Sequence, residues 1–433
     1  MMRAPGKDKM GNALKFMLRP LVRAIRRIIL PQDMQVGLAA GSLARNEQRL
    51  TQVGEQLSEI RQQVDKIKHD LLSPQMRARP WGFQPYFEAP NYWEPTVQLA
   101  LRDLIRPGST VFDIGGNFGG LTILMSRLTG PKGAVLAFEA SPRIIGILQG
   151  NVVTEGLSNV QVFHNAVYSR SHDKIPIFSG SHLNDNIFKS ETGDARAIGE
   201  VFSVAIDDVV ERMGLAPDLI KIDIEGAEFD ALTGAAKTLE RCKPHLLIEQ
   251  SADDDRCVHL LAGHGYQSID LSTYQIIQGK GDYPAKAAVR NLLAVHRSRG
   301  AEVPYGLPPR LEPVQSLAAR DFHRNGNGIH SVPVDLQPGR YVAVLEFEAR
   351  GTDNHLYAGV RIGDKLVFRY EANSKWLADS YREWAFDVLK PGRIEFVFEF
   401  QNNTSDPTLR VQGVELSRLI GVAPNSFSYL IVP

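Results

Sequence analysis

Thr110-Val-Phe-Asp-Ile-Gly-Gly-Asn-Phe-Gly-Gly120 reads as a buried strand, a glycine turn and the opening of a helix. Val111, Phe112 and Ile114 form the apolar run, Gly115, Gly116, Gly119 and Gly120 form the turn, and Leu121 to Leu128 continues at helical spacing. Glycines at such a turn let backbone N–H groups approach a ligand with no Cβ in the way, and the helix N-terminus adds the positive end of its dipole. The stretch therefore predicts a cofactor site at a strand-to-helix turn.

Two details narrow the ligand. Asn117 occupies the third glycine position of the dinucleotide fingerprint, where a pyrophosphate needs to lie against bare backbone. Asp113, just before the turn, repels a pyrophosphate and attracts a cationic, amine-bearing ligand. S-adenosylmethionine is such a ligand. The next strand, Ala134-Val-Leu-Ala-Phe-Glu139, ends in an acid able to accept both ribose hydroxyls, which suits any adenosine cofactor.

Outward from this stretch the chain alternates strands and helices from 108 to about 298, and its 433 residues suggest about three units. Strands are expected near 110–114, 134–139, 160–164, 219–224, 245–249, 266–270 and 291–296, with helices near 118–128, 142–156, 226–240 and 254–264. That alternation predicts a parallel sheet covered on both faces, with ligands at the carboxyl ends of its strands. Asp113, Glu139, Asp223 and Glu249 all fall at such ends.

Asp218-Leu-Ile-Lys-Ile-Asp-Ile-Glu-Gly-Ala-Glu228 is the second informative stretch. Alternation along a strand puts Ile220, Ile222 and Ile224 on one face and Lys221, Asp223 and Glu225 on the other. Three charges in a row on a central strand are costly unless paired and used. A self-neutralising structural Lys–Asp pair is the plainer reading of the same residues.

Upstream, residues 1–42 hold a basic amphipathic segment: Leu14, Met17, Leu18, Leu21, Ile25, Ile28 and Ile29 interleave with Lys15, Arg19, Arg23, Arg26 and Arg27, and Pro20 divides it. It suits either an anionic membrane surface, as a peripheral contact, or a partner helix. Residues 43–73 carry a heptad repeat with Leu43, Leu50, Leu57, Val64 and Leu71 at one core position and Asn46, Val53, Ile60 and Ile67 at the other. This predicts a coiled coil and a homo-oligomer, with leucine at a and β-branched d residues favouring a trimer or tetramer; Gly54 weakens the middle. Residues 74–107 form an aromatic, proline-rich linker and a first helix from Pro95 to Leu104, and Glu94 beside that helix is its one plausible active-site acid. Beyond the methyl-donor candidate region at 108–300, a linker at 301–328 leads to 329–433, where short alternating runs separated by Pro-Gly and Gly-Asp turns predict a β-sandwich or jelly roll. Trp376, Trp384, Tyr357 and Tyr381 there are either core residues or sugar-stacking surfaces.

Lys plus Arg and Asp plus Glu number 49 each, so no overall field calls for a nucleic-acid partner. Cys242 and Cys257 alone make neither a disulfide framework nor a structural zinc site, which fits a reducing compartment. No secretory leader and no run of about 18 apolar residues is found, so a cytoplasmic protein is expected, with at most peripheral membrane contact.

The ordered set Asp113-Ile-Gly-Gly-Asn-Phe-Gly119, Phe138-Glu-Ala-Ser-Pro142, Asn151, Asn165-Ala-Val167, Ile206-Asp-Asp208, Ile220-Lys-Ile-Asp-Ile-Glu-Gly-Ala-Glu228, Gly234-Ala235 and Leu247-Ile-Glu249 resembles the FkbM family of class I S-adenosylmethionine-dependent methyltransferases. The resemblance covers about 92–296; Gly116 and Ala140 depart from the family's usual alanine and proline. It implies a Rossmann-like α/β fold and O-methylation of a hydroxyl, commonly on a sugar, glycolipid or polyketide, generally without a metal. It also implies that Asp113, Gly115 and Asn117 line the methionine and ribose part of the pocket and that Glu139 holds the ribose; Gly119, Asn165 and Glu94 complete the candidate cofactor-binding set.

For the chemistry, a carboxylate at the pocket mouth can accept the proton of an alcohol as it is methylated. Asp223 is the candidate base, Lys221 its orienting partner, and Glu225 or Glu249 the holder of neighbouring hydroxyls. Asp223 with Glu249 and Gln250 also forms an oxygen set suited to Mg²⁺ and a diol. Two other readings stay open: a nicotinamide oxidoreductase, disfavoured by Asn117 and Asp113, and a non-enzymatic glycan-binding or assembly protein built on the coiled coil and the sandwich.

Overall fold

The computed structural model describes residues 94–179, 185, 187, 197–283, 289–325, 328–350, 356–362, 365–373, 383–400 and 408–424. The basic segment, the coiled coil and the linker up to residue 93 lie outside the described residues.

Helix α1 (Pro95–Leu104) leads into β1 (Thr110–Ile114), α2 (Gly120–Thr129), β2 (Ala134–Phe138), α3 (Ile145–Thr154) and β3 (Val160–Phe163). After an insertion come α4 (Ile206–Met213), β7 (Leu219–Ile222), α5 (Glu228–Thr233), α6 (Ala236–Arg241), β8 (His245–Ser251), α7 (Arg256–Gly263), β9 (Tyr266–Asp270), β10 (Ile276–Ile277) and β11 (Val289–His296). The strands form one sheet in the order β10-β9-β11-β8-β7-β1-β2-β3. From β3 to β8 the neighbours are parallel, but β11 runs antiparallel to both β8 and β9. The wholly parallel sheet expected from the sequence is thus a mixed one. Among the described residues no α-helix lies between β9 and β11, and the chain returns antiparallel and inserts beside β8.

Chain order reverses at β1, which lies between β2 and β7, and the two adjacent loops make the crevice where α/β sheets bind ligands. One sheet face packs Phe112, Ile114, Ile220, Ile222, Leu246 and Ile248 under α4 to α7. The expected helix at 226–240 is two short ones. Gly234 breaks it because a Cβ there would stand 2.4 Å from the Tyr168 carbonyl oxygen, and Asp207 then caps the second piece through the Lys237 and Thr238 amides. The insertion, β4 (Ala166–Val167), β5 (Lys174–Phe178) and β6 (Ala197–Val204), forms a small separate sheet that the sequence pattern does not announce.

From 311 the chain is all β: β12 (Leu311–Ala318), β13 (Phe322–Asn325), β14 (Gly328–Ser331), β15 (Val334–Leu336), β16 (Gly339–Arg350), β17 (Leu356–Ile362), β18 (Lys365–Asn373), β19 (Glu383–Val388), β20 (Gly392–Phe400) and β21 (Thr408–Leu419). One sheet runs β12-β21-β16-β19 and the other contains β13-β14-β20-β17-β18 with β15 on β20. Leu345, Phe347, Val414 and Leu416 from the first meet Ala358, Val360, Phe396 and Phe398 from the second in one core, as the alternating runs predict for a sandwich. Trp376 and Tyr381 lie outside the described residues.

The two units are not independent. Val97, Leu101 and Leu104 of α1 share a core with Val111, Leu219, Leu247 and Leu293 of the α/β sheet and with Val342, Ala385 and Leu419 of the sandwich. Two buried ion-pair groups cross the same boundary. Arg340 on β16 donates to Asp103 at the end of α1, to Asp387 at 2.8 and 3.1 Å, and to the Tyr274 hydroxyl at 3.3 Å. Arg290 on β11 donates to Asp270 at 2.6 and 2.8 Å and to Glu383 on β19 at 2.9 Å. Among the described residues, no helix is long and apolar enough to cross a membrane.

Removing Arg340 would leave Asp103 and Asp387 buried without their cation, a change that costs about 3–5 kcal/mol. Arg340→Ala is therefore expected to lower the urea midpoint by that equivalent at an unchanged m-value, and a loss under about 1 kcal/mol would show the cluster to be dispensable.

Candidate active site

Gly115 joins the two halves of the crevice. Its φ is +82°, and a Cβ there would stand 1.8 Å from the carbonyl oxygen of Asp223, so the β1 turn lies directly against the backbone that follows β7. Only glycine fits on both counts. Gly119 is a second such position, with φ +91° and a Cβ position 2.7 Å from Leu148. Asn117 adopts φ +47°, a left-handed conformation that asparagine tolerates better than most residues.

The turn's amides are used within the protein. Gly115 and Gly116 donate to the Phe138 carbonyl at 3.0 and 2.9 Å, Asn117 to Glu139 Oε2 at 2.8 Å, Phe118 to Asn117 Oδ1 at 2.7 Å, and Gly119 to the Gly116 carbonyl at 2.8 Å. The expectation that these N–H groups approach a ligand is corrected here: all five are engaged, and the turn offers no free amide cradle for a pyrophosphate. What the turn presents instead is acid. Glu139, at the end of β2, also accepts from the Ser141 amide at 2.7 Å, and each of its oxygens retains acceptor capacity for a ribose hydroxyl.

Asp113 on β1 is fully buried, and burial raises its pKa. Thr122, one turn into α2, donates to Asp113 Oδ2 at 2.5 Å; Asp113 Oδ1 has no hydrogen-bond partner and lies 3.8 Å from Lys221 Nζ. The Asp113–Lys221 register across β1 and β7 sets this approach. Lys221 Nζ donates to Asp223 Oδ2 at 3.0 Å and to the Gly115 carbonyl at 3.3 Å. Burial works against the ammonium, but Asp223, Asp113 and Glu94 outweigh it and its pKa is raised. Lys221 is thus a buried cation held among Asp223, Asp113 and Glu94.

Glu249, at the end of β8, has its pKa raised well above the carboxylate range by burial first and then by Asp223, Glu94 and Glu225, and it shares a side-chain hydrogen bond with Asp223. Burial and three neighbouring acids favour the protonated form of Glu249, and Asp223 lies between this carboxyl and the Lys221 ammonium. Glu94 caps the start of α1 at φ +45° without using its side chain as a cap. It is buried, and its pKa is pushed up to about 7 by burial, then by Asp223, with Asp113 and Glu225 adding and Lys221 opposing. Glu225, although it reaches the exposed rim, is pushed up to about 7 as well, by partial desolvation of its carboxyl against the site and then by Asp223 and Glu228.

The expected alignment of Lys221, Asp223 and Glu225 holds only for the first two. β7 ends at Ile222, and Glu225 turns into a left-handed conformation at φ +57°, open to solvent at the rim. Glu228 makes that turn: its Oε1 accepts from the Ile224 and Gly226 amides at 2.9 and 3.1 Å. Asn165, just past β3, uses its Nδ2 to tie this segment to the Phe202 carbonyl at 2.9 Å. Gln250 follows Glu249 by one residue, so it points to the other face of β8; it is buried with neither amide atom hydrogen-bonded. Among the described residues, no group of three or more His, Cys, Asp or Glu is arranged to hold a metal ion. Thr122, Ser141 and Glu228 belong to the site's framework and carry no sequence signal beyond their places in the motifs.

These groups fit S-adenosylmethionine: an orphaned carboxylate oxygen on Asp113 and further acids for a cationic donor, a bare turn at Gly115, and Glu139 for the ribose. Sheet order and an acid-lined switch point define the class I methyltransferase fold. Residues 113–268 match the family model described as the methyltransferase FkbM domain. Among solved structures, the chain is similar to a methyltransferase FkbM from Methylobacillus flagellatus KT, 18% identical with a TM-score of 0.31, over 46% of this chain and 50% of that one. It is also similar to a SAM-dependent methyltransferase from Aquifex aeolicus (15%, TM-score 0.27, covering 54% and 97%) and to Aeropyrum pernix fibrillarin with natively bound S-adenosyl-L-methionine (12%, TM-score 0.30, covering 46% and 73%). The chain spans half the length of the first of these. No curated protein matches it.

Because Glu94 titrates at about 7 when folded and near 4.5 when unfolded, the folded state holds its proton more tightly. Its contribution is complete below about 4.5 and is lost as pH rises through about 7, on the order of 3 kcal/mol. Urea unfolding from pH 5 to 8.5 should therefore show a fall in stability that is reduced by about that amount in Glu94→Gln; identical profiles would place Glu94 outside the acidic cluster. Gly115→Ala should abolish S-adenosylmethionine binding in calorimetry, because either the turn or the Asp223 backbone has to move.

Proposed function

We propose that this protein is an S-adenosylmethionine-dependent O-methyltransferase whose acceptor is a hydroxyl of a sugar in a surface glycan or glycolipid. The observation that carries this reading is Asp223, held at the carboxyl end of β7 between Lys221 Nζ at 3.0 Å and the Glu249 carboxyl, with which it shares a hydrogen bond. When bound, the cofactor supplies an electrophilic methyl group on a cationic sulfur. The protein's part is to place the acceptor oxygen in line and to receive its proton. Asp223 is the base, since Lys221 donates to it and Glu249 shares a hydrogen bond with it, and the two together fix its orientation. Asp113 and Glu94 set the negative field toward the donor, and Glu139 takes the ribose. Glu225, on the rim beside Asp223, holds a neighbouring acceptor hydroxyl.

In this reading the N-terminal heptads hold a trimer or tetramer, the basic segment rests on the cytoplasmic membrane face, and the jelly-roll-like C-terminal unit contacts the glycan. Each suits an enzyme of surface-polysaccharide assembly. The engaged amides of the 115–119 turn speak against the nicotinamide alternative.

Asp223→Asn is expected to bind S-adenosylmethionine within a few-fold of the parent by calorimetry. Transfer of labelled methyl to cell-envelope glycan fractions should fall about 10²–10⁴-fold. Retained transfer would remove Asp223 as the base, and a parent protein that does not bind the cofactor would remove the enzyme reading altogether.

A further inference from the structure

Glu94 is the one acid of the site that does not come from the α/β sheet. It stands at the start of α1, and Asp103 stands nine residues on, about 14 Å along the helix axis. Thr96 to Leu101, Asp103 and Leu104 are all buried, because α1 is enclosed by the α/β sheet and by the sandwich. The helix does not hold Glu94 by local capping: the Glu94 side chain makes no cap hydrogen bond, and its backbone is in the left-handed region where a non-glycine residue is strained. Its carbonyl accepts from the Gln98 amide at 3.0 Å, so the place of Glu94 follows that of α1.

At the far end, Arg340 of β16 takes both oxygens of Asp103 and both of Asp387, with Tyr274 adding a fifth contact. The guanidinium is fully buried and its fork matches two carboxylates at once, a geometry in which sliding or rotation of α1 breaks charge-assisted bonds. Val342 and Ala385, on the strands that carry Arg340 and Asp387, pack in the core shared with Val97, Leu101 and Leu104. Arg290, joining Asp270 at the end of β9 to Glu383 on β19, locks the sandwich to the sheet edge next to β8, which carries Glu249.

We propose that the C-terminal sandwich positions Glu94 in the acidic site by clamping α1 at its opposite end, with Arg340 and Asp103 as the positioning residues. The sandwich is then part of the active site's construction, beyond any role in contacting a glycan. The inference rests on Glu94 belonging to the site and deepens that reading.

The test reads Glu94 itself in the full chain, without cofactor. In protein labelled at the glutamate side-chain carboxyl with ¹³C, the Glu94 resonance is assigned by its absence in Glu94→Gln and followed from pH 4 to 9. The groups facing Glu94 are Asp223, Lys221, Asp113, Glu225 and Glu249, so its midpoint reports whether it sits among them. Asp103→Asn keeps the size but replaces one of the two acceptor oxygens with an NH2 donor facing the guanidinium, which loosens the clamp. It is expected to lower the Glu94 midpoint from about 7 by about one unit or more, while the Glu225 midpoint, set by local desolvation and then by Asp223 and Glu228, stays in place. An unmoved Glu94, or equal movement of both resonances, overturns the proposal. If Asp103→Asn does not accumulate as folded protein, Arg340→Lys, which keeps the buried cation but not the fork, carries the same comparison with the same criteria. S-adenosylmethionine binding by the parent protein is measured separately, so a failure of the clamp and a failure of the methyltransferase reading are told apart.

Discussion

A single buried ammonium governs the crevice. Lys221 lies within 3.8 Å of Asp113 and 3.0 Å of Asp223, and its charge opposes the rise that burial imposes on the pKa values of Asp113, Glu94, Glu139 and Glu225. Burial of carboxylates disfavours their charged form, and one cation cannot offset several of them. The excess is met by protons: Glu249 is raised well above the carboxylate range, and Glu94 and Glu225 are pushed up to about 7. The charge of the site is accordingly set by a few groups that titrate near neutrality. Such a site takes a cationic ligand well and a phosphate-rich one badly.

The same constraint explains why the backbone around the crevice is held so firmly. An acid cluster of this kind would relax by swelling, letting water in between the carboxylates. Three close backbone approaches oppose that: the Gly115 turn against Asp223, the Glu228 carboxyl closing the Ile224 to Gly226 loop, and the Asn117 and Ser141 amides on Glu139. Left-handed residues gather here, with Glu94, Asn117 and Glu225 all at positive φ. Strained backbone persists only where its surroundings over-determine it, and the surroundings in this case reach from β2 across to the sandwich.

Much of the sheet was legible because its strands are short apolar runs ending in an acid, and the acids at 113, 139, 223 and 249 do converge on one edge. The antiparallel return of β11 was not legible, since an apolar strand such as Asn291 to Val295 carries no mark of its direction. Nor was the engagement of the turn's amides, which depends on Phe138 and Glu139 of a neighbouring strand. Glu225 misled by continuing the alternation Lys221, Asp223 past the residue where the strand stops; the signal that it stops is Gly226 together with Glu228. Thr122 gave no sign at all, being one hydroxyl in an ordinary helix.

The boundary between the two large units is the part least legible in composition. Residues 301–328 read as a linker, and Val303, Tyr305, Leu307 and Leu311 within it pack in or against the core that joins both units. A linker whose apolar residues are buried cannot act as a hinge, because each opening exposes them along with Val342, Ala385 and Leu419. Polar residues at the same boundary make the joint specific as well as adhesive: an arginine fork accepts only partners at fixed separation and angle. Arg340 thereby ties the register of β16 to the position of α1, and Arg290 ties β19 to β11. The helix that completes the acidic crevice is thus held from two sides, by Val111, Leu219, Leu247 and Leu293 of the α/β sheet and by Val342, Ala385 and Leu419 of the sandwich.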